Sequence, residues 1–146
     1  MTRKSVGSTL VGMTALAMAL VVVSPRRAEA AKLTVEVEGL KEEGRLMVSV
    51  VDSAGAWSGK SKPVVAVDAK VVGESMRLVF DLPPGELAIR LFHDANGNGK
   101  LDRNMLGVPK EGYGFSQNPR VVGPAGFSDA KFALPDAGAV SRIKVR

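Results

Sequence analysis

Asp94, Asn96, Asn98 and Asp102 place oxygen-bearing side chains at positions 1, 3, 5 and 9 of one short stretch, with Gly99 at position 6. Alternate residues of a tightly curled loop can turn inward, and calcium takes six to eight hard oxygen ligands. The spacing is therefore that of the first three quarters of an EF-hand calcium loop. Gly99 permits the sharp bend, and the main-chain carbonyl of Lys100 stands where position 7 supplies its ligand. The two aspartates balance the ion's charge, while the two asparagines add oxygen without adding charge. Position 12, however, is Met105, where an EF-hand has a bidentate glutamate, and no helical pattern flanks the stretch. The expectation is thus a free-standing loop at a strand end, closed by a carboxylate from elsewhere. Glu111 is the best candidate, with Asn104 behind it. The expected calcium set is Asp94, Asn96, Asn98, Lys100, Asp102 and Glu111. Two readings compete with it: another metal ion, and a bare hairpin tip, since Asn-Gly is a strong hairpin signal. Against the tip, Lys100–Asn104 do not alternate as a return strand should. An ion would pin a long segment that otherwise has little reason for order.

Other chemistry is scarce. Cysteine is absent and His93 is the single histidine. Disulfides, thiolate sites, cysteine nucleophiles and multi-histidine metal centres within one chain are thereby excluded. A secreted metal-assisted hydrolase built on His93, Asp94 and Glu111 is the enzymatic alternative. No nucleophile motif or matched acid–base pair accompanies those residues, so no catalytic residue and no organic cofactor is assigned. His93 reads as structural. Tyr113 and Phe115 read as aromatics folded back over the domain, although Lys110–Phe115 would also serve as a contact surface beside an ordered loop. Trp57 sits in a loop rich in serine, glycine and lysine.

The elements that must position these residues follow a period of two. Leu33, Val35 and Val37 alternate with Thr34, Glu36 and Glu38, the mark of a half-buried strand. Further strands are expected at 45–51, 64–72, 75–80 and 87–92, with turns at 41–44, at Gly73-Glu74 and at Pro83-Pro84-Gly85. Between His93 and Gly126 no long periodic stretch appears. The 127–134 segment fits a strand, although Phe127, Ala130 and Leu134 would also share a helix face, and 140–145 ends the chain as a strand. About seven short strands with Gly/Pro turns predict an all-β single domain, a β-sandwich of immunoglobulin-like or transthyretin-like type.

Residues 1–30 read as an export signal. Arg3 and Lys4 precede an uncharged apolar run, Thr9–Val23, which Pro25 breaks, and Ala28-Glu29-Ala30 offers small residues at the positions a signal peptidase reads. The competing reading is an uncleaved membrane anchor, against which the run falls short of the ~20 residues that span a bilayer. Cleavage is expected between Ala30 and Ala31, leaving a β-sandwich domain at 31–146 in the periplasm or outside the cell, with no membrane span. The whole chain has 20 basic and 15 acidic residues; the segment removes Arg3, Lys4, Arg26, Arg27 and Glu29, which lowers the net charge from +5 to +2. No basic run survives to give a nucleic-acid footprint. An unknown protein or cell-envelope partner is the expected interaction. A metal-free structural domain is the remaining alternative.

Several blocks carry a resemblance. They are Asp81-Leu82-Pro83-Pro84-Gly85, Phe92-His93-Asp94 running into Asn96–Asp102, Gly107–Ser116 and Phe127-Ser128-Asp129-Ala130. Over residues 33–146 the chain resembles domain-of-unknown-function family 2141, a bacterial family of small exported proteins. The resemblance implies export and a single β-rich domain. It supplies no activity and no catalytic residues.

Overall fold

A computed structural model describes residues 29–41 and 43–146. The expected export segment, apart from its last two residues, lies outside them. The alternation at the start of the domain becomes strand β1 (Ala31–Glu38), whose Leu33, Val35 and Val37 are buried. It is followed by β2 (Arg45–Val51), a short helix α1 (Ala54–Trp57), β3 (Val65–Lys70), β4 (Ser75–Leu82) and β5 (Gly85–Asp94). Then come β6 (Tyr113–Phe115), a second short helix α2 (Phe127–Ala130), β7 (Phe132–Leu134) and β8 (Ala139–Lys144). The chain is a β-sandwich of two sheets. One has three strands in the order β4-β1-β8; the other has five, in the order β3-β2-β5-β6 with β7 also paired to β5. β1 and β8 run parallel, whereas the other paired strands are antiparallel.

Period two puts one row of each strand into the space between the sheets. Leu33, Val35 and Val37 of β1 and Ile143 of β8 meet Leu46, Val48 and Val50 of β2 and Leu87, Ile89 and Leu91 of β5 in one core. Fully burying an aliphatic side chain of this kind contributes about 1.5–3 kcal/mol, so this double row is what fixes the register of both sheets. Gly114 lets the short β6 lie across the edge of that core. A Cβ there would come within 2.6 Å of Ile143 Cγ2 and 3.0 Å of the Lys144 carbonyl oxygen.

The opposite face of the five-stranded sheet has its own smaller core. Val51, Ala88, Ala56 of α1 and Ala130 of α2 are buried there, with Trp57, Phe115 and Phe127 packed against them. Ser53 caps α1 by accepting the Ala56 N–H at 3.2 Å. Trp57 stands on this helix, and its indole N–H donates to the Ala125 carbonyl at 3.1 Å, tying α1 to the loop before α2. The 127–134 segment takes both forms in turn. Phe127–Ala130 is a helical turn whose Gly126 N–H donates to Asp129 at 2.7 Å, and the chain then extends into β7 against the start of β5.

Candidate functional site

β5 delivers the polar segment. Its inward row ends on His93 and its outward row on Asp94, so these neighbours face opposite sides of the sheet. His93 is buried, its Nε2 within hydrogen-bonding distance of the Glu43 carbonyl, and its N–H donates to the Gly112 carbonyl at 2.7 Å. Gly44 accommodates this contact at positive φ, since a Cβ there would meet the Asp94 carbonyl oxygen at 2.4 Å. Asp94 is fully buried. Its Oδ1 accepts the N–H groups of Gly97 at 2.8 Å and Asn98 at 3.2 Å, and its Oδ2 accepts that of Gly99 at 2.7 Å. The 94–99 backbone therefore curls round one carboxylate, with Gly97 and Gly99 at positive φ.

Asp102 faces the two asparagines. Asn96 Nδ2 donates to its Oδ2 at 2.6 Å, and Asn98 Nδ2 donates to Oδ1 at 3.0 Å and Oδ2 at 3.1 Å. The amide oxygens turn to the backbone instead: Asn96 Oδ1 accepts the Asn98 N–H at 3.1 Å and Asn98 Oδ1 the Lys100 N–H at 2.8 Å. The bonds from Asn98 and Asn96 hold the Asp102 carboxyl below the ordinary aspartate range, helped by Lys110 and Lys100 and opposed by desolvation.

Glu111 reaches the loop by a small hairpin. Lys110 N–H donates to the Asp102 carbonyl at 2.8 Å, Asn104 N–H to the Val108 carbonyl at 2.8 Å, and Arg103 bridges Pro109. This return places Glu111 beside the loop, where Oε1 accepts the Ala95 N–H at 2.9 Å and Oε2 the Asp102 N–H at 3.0 Å. One carboxylate thus clamps the first and last turns of the 94–102 segment. Asn104 is elsewhere: its Oδ1 accepts the N–H groups of Leu106 and Val108 within the hairpin tip. Met105, at position 12, is fully exposed on that tip.

The six expected residues are therefore brought to one loop. Among the described residues, though, no three histidine, cysteine or carboxylate side chains gather as a metal-binding group. The three carboxylates are spent on N–H donors. Two of the three residues of the hydrolase alternative share one cavity. His93 and Glu111 both border a cavity of about 310 Å³ that Asp94 does not line.

The sequence reading missed β6 and its outward face. Tyr113 and Phe115 do not fold back over the sandwich; they extend the five-stranded sheet, opposite Phe92 and Arg90. The signal was the Tyr-Gly-Phe alternation, too short to stand out. Trp57, Phe115 and Tyr113 form a chain of rings, with centroids 5.5 Å and 5.7 Å apart. They border a groove of about 810 Å³ on the outer sheet face, between the 101–109 hairpin and the 119–125 loop. No helix among the described residues is long and apolar enough to cross a membrane.

The model of the family described as "uncharacterized protein conserved in bacteria" (DUF2141) matches residues 35–142. No curated protein matches the chain. No solved structure matches it. The matched span runs from the middle of β1 into β8 and takes in both sheets, the 94–102 loop and Glu111. The chain belongs to domain-of-unknown-function family 2141.

Proposed function

We propose that the chain is an exported binding module, periplasmic or secreted, whose 94–102 loop is organised by calcium and presents the adjoining Lys110–Phe115 segment to a partner at the cell envelope. Asp94, Asn96, Asn98, the Lys100 carbonyl, Asp102 and Glu111 would hold the ion. The observation that supports this reading is the buried Asp94 carboxylate with three backbone N–H groups curled round it, which bends the 94–99 backbone and leaves Asn96 and Asn98 beside the Asp102 carboxylate. The donor set is wholly hard oxygen, which suits calcium over softer metals. The Nδ2 donors of Asn96 and Asn98 meet Asp102 where a cation would neutralise it. Turning the two amides over would present their Oδ1 atoms instead. The Asn98 N–H is shared between Asn96 and Asp94, so it keeps a partner after that turn, whereas the Lys100 N–H would give up the Asn98 Oδ1.

The same bonds support a second reading, a metal-free loop in which the asparagine amides neutralise Asp102 permanently. A thermal melt separates the two: first in chelator, then from micromolar to millimolar calcium, with magnesium as control. A binder with affinity on the order of 10⁻⁴ M gains about 2 kcal/mol once calcium is tens-fold above that value. A calcium-selective rise that Asp94→Ala and Asp102→Ala abolish supports the ion. The same flat response in all three proteins leaves the metal-free loop.

A further inference from the structure

We propose that the outer face of the five-stranded sheet is a binding site for a small organic anion, an apolar body carrying one carboxylate or phosphate. The inference rests on reading this face as a binding surface and is independent of the ion.

The floor of the groove is the outward row of three strands: Met47 and Ser49 of β2, Arg90 and Phe92 of β5, and Tyr113 and Phe115 of β6. Its volume of about 810 Å³ falls within the range of small-ligand sites. The ring chain of Trp57, Phe115 and Tyr113 offers a continuous apolar shelf for a flat or extended body. The mouth is apolar too. Leu106 from the hairpin and Val121 from the facing loop line the groove, and their neighbours Met105 and Val122 are fully exposed. These side chains give the groove an apolar rim on two facing loops.

The charged side chains that line the groove have one sign. Arg90, Arg103 and Arg146 line the groove and no aspartate or glutamate side chain does. Among the described residues none of the three arginines makes a salt bridge, whereas Arg45, Arg77 and Arg142 each do. Arg90 donates to the Trp57 carbonyl, Arg103 to the Gly107 carbonyl at 3.0 Å and Arg146 to the Pro119 carbonyl. Each guanidinium has five donors in a fixed fork, so a carbonyl on one edge holds it in place and leaves other N–H groups for a bidentate anion. Arg90 is half-buried at the floor, beside the ring shelf, where an anion is least screened. Charge complementarity selects an anion, and the apolar shelf selects one with an apolar body.

Trp57 is the sole tryptophan and lines the groove, so its emission responds to a ligand bound there, and the arginine variants tie the response to this site. The purified protein is titrated with 1-anilinonaphthalene-8-sulfonate and with the neutral N-phenyl-1-naphthylamine, and the bound sulfonate is then displaced by 1-naphthoate or by dodecanoate. The expected result is saturable one-to-one quenching of Trp57 by the sulfonate, with the neutral analogue about tenfold weaker for want of charge-assisted bonds. Displacement by naphthoate assigns an aromatic acid; displacement by dodecanoate assigns a lipid-like acid. Arg103→Gln, on an exposed loop, is expected to weaken sulfonate binding several-fold with an unchanged melting temperature, and Arg90→Gln to weaken it further. Non-saturable quenching, equal binding of the neutral analogue, or unchanged affinity in Arg103→Gln and Arg90→Gln overturns the proposal. A flat calcium melt does not bear on it.

Discussion

Glu111 illustrates how much one carboxylate can organise. Its two oxygens accept N–H groups that are seven residues apart in the chain, from Ala95 and Asp102. Glu111→Gln replaces one acceptor with an NH₂ group facing an N–H, so one bond is lost and a donor is left opposed. The expected cost is about 1–3 kcal/mol, read from urea unfolding of the purified variant. Asp102 makes a different prediction, in pH. Its folded value is depressed, first by the bond from Asn98 and then by that from Asn96. Its contribution is therefore fully present above the ordinary aspartate value and is lost as pH falls through the lower, folded value. Asp102→Asn should flatten that acid limb of the melting curve, and a limb identical to wild type would show that the carboxylate is not used in this way.

At the scale of elements, Ser116 holds more together than its type suggests. It is fully buried just after β6, accepts the Ile89 N–H at 2.8 Å and donates to the Ala130 carbonyl at 2.6 Å. One hydroxyl joins β5, β6 and the end of α2. Ser116→Ala strands both partners in the interior, and a loss of about 2 kcal/mol in chemical denaturation is expected. Gly114→Ala should cost about 1–3 kcal/mol by overpacking against Ile143, checked in the same way. Neither residue could be singled out from the chain alone. Strands such as β1, β2 and β5 were legible because their apolar rows repeat every second residue over most of a strand. β6 and β7 are three residues each, too short for a period to register, and α1 is one turn whose order comes from a serine cap and the Trp57 contact. At the loop, the oxygen spacing picked out Asp94, Asn96, Asn98 and Asp102, and the missing position-12 ligand pointed to Glu111. The contact partners were not legible. Whether a carboxylate faces an N–H or open space depends on the hairpin at 102–110, which brings Glu111 back and leaves Asn104 capping its own tip. Nor could pairing across strands be read, so the groove between two loops and the outer sheet face stayed hidden.

The sandwich as a whole depends on how its first strand begins. β1 is the central strand of the three-stranded sheet, paired antiparallel to β4 on one side and parallel to β8 on the other. Its first residue, Ala31, is already buried and paired with Leu82. Signal cleavage between Ala30 and Ala31 would leave this strand whole, with every core residue of β1 retained. A chain starting at Ala31 should therefore melt within a degree or two of one that keeps Glu29 and Ala30, because those two exposed residues precede every paired position. A chain starting at Glu36 loses Leu33 and Val35 from the core. Removing two such side chains forfeits about 3–6 kcal/mol of burial before the broken ladders to β4 and β8 are counted, against a total stability of about 5–15 kcal/mol for an ordinary domain. That truncation should yield no cooperative transition. Intact-mass measurement of the chain recovered from expressing cells, set beside the melts of the two truncations, checks both parts together. A mature chain that begins within β1 and still melts cooperatively would contradict the strand's central place in the sandwich.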